Sequence, residues 1–497
     1  MADPRQPAGL HDDPALPAAA EWVPWTATER EAFLDAIARH RRNAWRVTLP
    51  CAAASSVLAL VLAVLLAPLL YSLLGLGFDA VNLVVPTPDL LGHLGRLLDK
   101  ILNSLDSPNP APLEAWYRLL LLAPAPGLVV VLGVILVLRR ALQQSPLFHP
   151  TKVPGRPAMG TDLAEQRFSN TVAEMATAAT IPVPQVAFVA GGANAAAFGR
   201  DDQHAVVIAG SDLLARLDRQ QMQGVAGHLV ASIADGDMKI GMRTALTLGL
   251  FALPAALSAG WSDRARFAAT ARLLRALLLP TQANLDLILK ELNDPFRPPD
   301  ATDTPAAPQT PPDGKLTWRE WALMPIMGPV VLSGFLSGLV STMMLAPAVA
   351  LAWRHRKFMA DANAVRLTRD ADALAGALAA IGSADARTPI AAWAGHLCVV
   401  DPGSKQGSAL LGGSYVSVFP PLQRRLKALV RLGANPQVVA GDTAARRPIL
   451  VTLLIAVLLG LVAVLLCVVI VLLVWVSLAL SGMFTLLPAA LLHALLR

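Results

Sequence analysis

Four stretches of this 497-residue chain carry side chains whose types and spacing bear on chemistry. The first is Ala193-Asn194-Ala195-Ala196-Ala197-Phe198-Gly199-Arg200. The second is Gly227-His228-Leu229-Val230-Ala231-Ser232, running on to Asp235 and Asp237. The third is Arg356-Lys357-Phe358-Met359-Ala360-Asp361, and the fourth is Phe419-Pro420-Pro421-Leu422-Gln423-Arg424-Arg425. His228, Ser232 and Asp235 fall at i, i+4 and i+7 and so share one face of a helix. With Asp361 from a second helix, His228 and Asp235 form a candidate His–Asp–Asp metal site, although such spacing is common by chance. The plainer reading is a hydrogen-bonded core histidine beside a salt bridge. A lysine buried without a partner is costly, so Lys357 is expected to pair with Asp235, Asp237 or Asp361. His355, two residues before Lys357, points elsewhere on its helix.

Read in order, these stretches resemble the HtpX-like zinc metallopeptidases, the family that also holds the CAAX prenyl endopeptidases. The resemblance covers roughly residues 160–430. The family's second stretch reads H-E-x-x-H-x-x-x-x-D, its third R-E-Y-x-A-D and its fourth H-P-P-x-x-x-R. The resemblance implies a zinc ion held by two histidines at i and i+4 and by a carboxylate from a second helix, with the intervening glutamate as general base on the bound water. His228 matches the first ligand. Leu229 stands at the general base, Ser232 at the second histidine, Lys357 at the third ligand and Phe419 at the histidine of the fourth stretch. Asn194, Asp237, Ala360, Asp361, Pro420, Pro421 and Arg425 match. Leucine accepts no proton, and an ammonium has no lone pair and repels a dication. General-base catalysis is typically worth about 10²–10⁴-fold. The frame is therefore expected without its catalytic residues, with no metal bound. Zinc would be the cofactor only if activity remains.

The elements that must position these residues are mostly apolar helices. The composition is 55% hydrophobic and 15% charged, against about 25% charged in an ordinary soluble domain, and the mean hydropathy is +0.52. Runs long enough to cross a bilayer are Val47 to Leu76, Leu119 to Leu138, Met327 to Trp353 and Ile449 to Leu478, with a shorter one at Thr244 to Ala259. The third and fourth spans in chain order would link the His228 helix to the Lys357 helix. The apolar tail from Ser477 to Leu496 reads as an interfacial helix or a sixth span. Arg39, Arg41, Arg42, Arg46, Arg139, Arg140, Arg354, Arg356, Lys357, Arg446 and Arg447 fall on one side if the spans alternate, which makes that side the cytoplasm. Arg264, Arg266, Arg272 and Arg275 fall outside, in a loop too long to count in that rule.

The expected fold class is mainly α, a multi-spanning membrane protein with a metallopeptidase-like cytoplasmic domain holding a small β-sheet. The expected divisions are a cytoplasmic segment over 1–43, two spans with an outer loop over 44–140, and a peptidase-like segment over 141–242. Two further spans with a Pro-rich outer loop occupy 243–353, a second peptidase-like segment 354–448, and the C-terminal span or spans 449–497. Helices are expected over Asp162–Thr180, Arg219–Ala234 and Leu273–Leu292, with an amphipathic one over Leu90–Leu105. Strands are expected at Val186–Ala190 and Ala205–Ala209. Asp212 is expected to cap a short helix, and Thr28 with Glu31 to form a capping box. Tracts 1–27 and 294–313 are too rich in Pro and Asp to bury a core.

Cys51, Cys398 and Cys467 are scattered and form neither a metal pair nor a disulfide framework. The net charge of +6 is read as topology and lipid-facing charge, and no nucleic-acid partner is expected. The favoured function is a catalytically inactive homologue in a bacterial inner membrane. Its partners would be the lipid bilayer, unfolded or membrane polypeptides, or another membrane protease. The Asn194 region resembles the family's substrate-side edge strand, which implies that peptides would add there by strand pairing. The alternatives are an active zinc endopeptidase with atypical ligands, and a transporter or channel. The last lacks the mid-span charges it would need.

Overall fold

The computed structural model describes residues 31–82, 85–86, 90–105, 112–122, 124–144, 155–259, 272–293, 345–382, 386, 392–402 and 418–438. It is mainly helical with one small sheet. Helices α1 (Phe33–Asn82), α2 (Leu90–Leu105), α3 (Leu113–Leu122), α4 (Ala125–Gln144) and α5 (Leu163–Ala178) lead into strands β1 (Gln185–Val189), β2 (Ala195–Gly199) and β3 (Ala205–Gly210). Then follow α6 (Ser211–Arg216), α7 (Arg219–Ala234), α8 (Asp237–Ala259), α9 (Gln282–Asn293), α10 (Ala346–Thr368), α11 (Ala371–Gly382) and α12 (Leu422–Arg431).

The sheet order is β1-β3-β2, with β1 parallel and β2 antiparallel to β3. Both faces are covered, and the period of two decides which side chain goes where. Ala195, Ala197, Ala205, Val207 and Ala209 join a core with α5, α7, α11 and α12. Ala196, Phe198, Val206 and Ile208 join a second core with Leu62 and Ala63 of α1, Leu138 of α4, Leu250 of α8 and Trp353 of α10. The two segments expected to be peptidase-like, on either side of the third and fourth spans, thus share one core.

The caps differ from expectation in detail. Asp212 is the second residue of α6, whose N-cap is Gly210 with no side-chain cap. Asp218 instead caps α7 and forms a capping box with Gln221, which satisfies two amides that the helix leaves open. The run Ala195–Gly199 is a strand, though its alanines have low strand propensity; burial on both faces and pairing to β3 override that propensity. The helix expected over Leu273–Leu292 is split. Residues 272–278 are helical and α9 begins at Gln282, because Pro280 lacks the amide that continuation requires. Pro124 likewise separates α3 from α4 within the second expected span.

Among the described residues α4 is the one helix long and apolar enough to cross a membrane by length and composition. The charge-free run Val47–Leu76 lies within α1, and Thr244–Ala259 within α8. Residues 1–30, the Pro-rich tract 294–313, most of the fourth expected span, Arg264, Arg266, and everything from 439 onward lie outside the described residues.

Candidate functional site

Helices α7 and α10 cross with their polar side chains turned into the protein. Gly224 permits the close packing of α7 on its other neighbour, α11, since a Cβ there would lie 2.6 Å from the Leu374 amide nitrogen. At the crossing, His228, Lys357, Asp361 and Arg425 are all buried. Arg425, from α12, holds Asp361 with two near-parallel bonds: Nε donates to Oδ2 at 2.8 Å and Nη2 to Oδ1 at 2.6 Å. Such a fork-on-carboxylate pair is among the strongest ionic contacts available to side chains. The remaining Nη1 donates to the Val399 carbonyl at 2.6 Å.

His228 Nδ1 lies 2.8 Å from Asp361 Oδ1. The oxygen sits off the ring N–H direction, so neither ring nitrogen has a directed hydrogen-bond partner. Burial lowers the imidazole's affinity for a proton, and Asp361 opposes this only in part. Burial pushes the Asp361 carboxyl up, but the charge and hydrogen bonds of Arg425, with His228, outweigh it. They hold the acid far below the usual carboxylate range.

Lys357 does not form the ion pair expected of it. Its Nζ donates to the Cys398 carbonyl at 2.5 Å and lies 5.5 Å from the centroid of the Phe419 ring, a cation–π contact. The carboxylates expected as its partners are engaged elsewhere. Asp237 accepts from Arg356. Asp235 accepts from Asn363 at 2.7 Å and lies 3.6 Å from Arg41 of α1. Burial, reinforced by the Arg425 charge, pushes the Lys357 ammonium down to about 8.

The other expected positions fall as follows. Leu229 is buried in the apolar core beside α11, away from the crossing. Ser232 is buried on α7. Pro420 is buried immediately before Pro421, the N-cap of α12. His355 turns away from the crossing to meet His40 of α1, Nδ1 to Nδ1 at 3.3 Å. Asn194 is buried and binds a neighbouring segment: its Nδ2 donates to the Val400 carbonyl at 2.8 Å, and its Oδ1 accepts from the Val400 amide at 3.3 Å. Asp235 is therefore not brought to His228 and Asp361. Among the described residues no group of three His, Cys, Asp or Glu side chains is placed to hold a metal ion.

Sequence reasoning passed over the segment 396–400. Its signal was nonetheless present. Leu397-Cys398-Val399-Val400 before Asp401-Pro402-Gly403 has the composition of a short extended run ending at a turn.

The profile of Peptidase family M48 matches residues 162–294. The Protease HtpX homolog of Desulfatibacillum aliphaticivorans is 25% identical over 269 residues, 54% of this chain and 68% of that protein. That of Chlorobium luteolum is 29% identical over 263 residues, 52% of this chain and 69% of that protein. Over residues 162–294 the chain matches Peptidase family M48, and over about half its length it is similar to these HtpX homologs. A third relative, the Protease HtpX homolog of Thermococcus kodakarensis, is 39% identical over a shorter stretch of 79 residues, 16% of this chain and 27% of that protein. No solved structure matches. Within this HtpX-like chain the M48 match begins at Asp162, the N-cap of α5, and runs through the sheet, α7 and α8.

Proposed function

We propose that this HtpX-like M48 homologue is a non-hydrolytic membrane protein, a pseudopeptidase that engages polypeptide segments or a partner protease at its cytoplasmic face. The observation that carries this reading is the occupation of the α7–α10 crossing by Lys357 and Arg425. Lys357 stands where the family resemblance expects a carboxylate ligand, and its ammonium is spent on a carbonyl. Both oxygens of Asp361 are gripped by Arg425. A catalytic zinc needs three lone-pair donors and one open position. This crossing offers one imidazole, one carboxylate whose two oxygens Arg425 already holds, and two buried cations, a donor set that does not fit the ion.

Membrane insertion is part of the same proposal. On α4, Val129, Leu132 and Leu136 are exposed, an apolar outer stripe that water would disfavour and lipid would accept. Lys and Arg at the span ends set the cytoplasmic side.

Metal analysis and casein cleavage on the detergent-purified chain test the reading. The expected outcome is metal well below one zinc per chain and no cleavage. About one zinc per chain, with cleavage abolished in His228→Ala, would overturn it in favour of an active endopeptidase with atypical ligands.

A further inference from the structure

In the sheet order β1-β3-β2, one side of β2 pairs with β3 and the other is an edge. An edge strand presents unpaired amides and carbonyls, the usual landing place for an extended peptide. Here that edge is taken by the chain itself. Ala196 and Cys398 form an antiparallel bridge, and the Val399 amide donates to the Ala195 carbonyl at 2.8 Å.

The segment is held more firmly than pairing requires. Three consecutive carbonyls each receive a buried polar side chain from a different element. Lys357 of α10 donates to Cys398 O, Arg425 of α12 to Val399 O, and Asn194, just before β2, to Val400 O. Packing closes the remaining sides. The His396 ring stands 4.7 Å from Trp353, edge to face. Gly241 of α8 leaves room for Leu397, where a Cβ would come within 2.8 Å of its side chain.

We infer that Cys398–Val400 is a resident occupant of the β2 edge, clamped there by Lys357, Arg425 and Asn194, and that it keeps external peptides off this edge until it is released. The inference rests on the polypeptide-binding reading above and supplies its regulation. It also makes Lys357 a positioning residue, a carbonyl clamp on the occupant.

The test uses the full chain in detergent micelles and a fluorescein-labelled peptide of alternating Val and Thr as an extended-chain probe. In the unaltered protein, the Val399 amide is expected to exchange hydrogen about a hundredfold more slowly than an unprotected amide, and the probe to bind weakly. Val399→Pro removes the pairing amide and is expected to raise probe affinity about tenfold; Asn194→Ala is expected to act in the same direction. Folding of both variants is read from unchanged exchange across α7. Unprotected exchange at Val399 in the unaltered chain overturns the inference without any variant. So does a folded Val399→Pro protein with no gain in probe binding, or probe binding to the unaltered chain that leaves Val399 exchange unchanged. Zinc content and casein cleavage are read on the same samples. A zinc-loaded, cleaving chain sinks the non-hydrolytic reading alone, whereas the exchange and binding results bear on the occupant.

Discussion

The buried charges at the crossing are the least forgiving residues of the molecule. Removing one partner of a buried, hydrogen-bonded ion pair leaves an uncompensated charge and costs about 3–5 kcal/mol. Arg425→Leu should lose on that order, because Asp361 and the Val399 carbonyl both lose their donor. The denaturation midpoint reports it, and a loss under about 1 kcal/mol would contradict the arrangement. Asp361 contributes its share above about pH 4, where the unfolded carboxyl is also ionised, and the share is lost as pH falls below that. Lys357 has the opposite window. Its folded proton affinity is lowered to about 8 against 10.5 in the unfolded chain. Between those values the unfolded state binds the extra proton, so stability rises with pH there; below about 8 the full cost of the buried charge is present. Thermal unfolding of Lys357→Met should lack this alkaline rise. An identical rise in the variant would mean that Lys357 is not its source.

At the scale of elements, the N-terminal end of α1 is bound across α10 and α12. The Glu31 amide donates to the Arg431 carbonyl at 3.0 Å, His40 meets His355, and the His40 ring stacks on Phe358 with centroids 5.2 Å apart. Burial, then the charges of Arg39 and His355, lower His40 to about 4, with Asp361 opposing. Burial and Arg39 lower His355 as well. The unfolded imidazoles bind protons from about pH 6.5 downward. The contact between α1 and α10 is thus fully stabilising above that value and weakens as pH falls from about 6.5 to about 4. His40→Gln should flatten the acid limb of the thermal midpoint; an unchanged slope would remove His40 from the account. On the opposite side of α7, Gly224→Ala would drive a methyl into the Leu374 backbone. It should cost about 1–3 kcal/mol as overpacking. Gly227→Ala meets the end of the Thr368 side chain first, at 3.1 Å, and should cost less in the same unfolding experiment.

For the whole molecule, the shared cores set the expectation. The sheet face bearing Phe198 and Ile208 is buried against α1, α4, α8 and α10. The apolar helices therefore serve as one wall of the domain that holds the sheet. Carbonate washing of isolated membranes should leave the chain in the pellet. Detergent stripping harsh enough to unfold α1 and α4 should also expose the β2–β3 sheet to protease. Release of the chain by carbonate would refute the insertion, and a protease-resistant sheet after loss of α1 and α4 would refute the shared wall.

Much of this was determined by sequence alone. Helical periodicity and turn residues place α5, α7, β1 and β3 within a residue or two, because these signals are local. The order and content of the four motif stretches pointed to the HtpX-like M48 family, and Leu229, Ser232, Lys357 and Phe419 mark where the chain departs from its pattern. Tertiary structure alone decided who pairs with whom. Lys357 was expected to meet a carboxylate, yet Arg356, Asn363 and Arg425 reach those carboxylates first, and Lys357 turns to Cys398. The alanines of Ala195–Gly199 form a strand because both faces are buried, a property that no local propensity encodes. Pairing of Cys398–Val400 to an edge about 200 residues earlier is a contact of the folded chain. Spacing along a helix reports which side chains share a face, but the partner across that face is set by packing between distant segments.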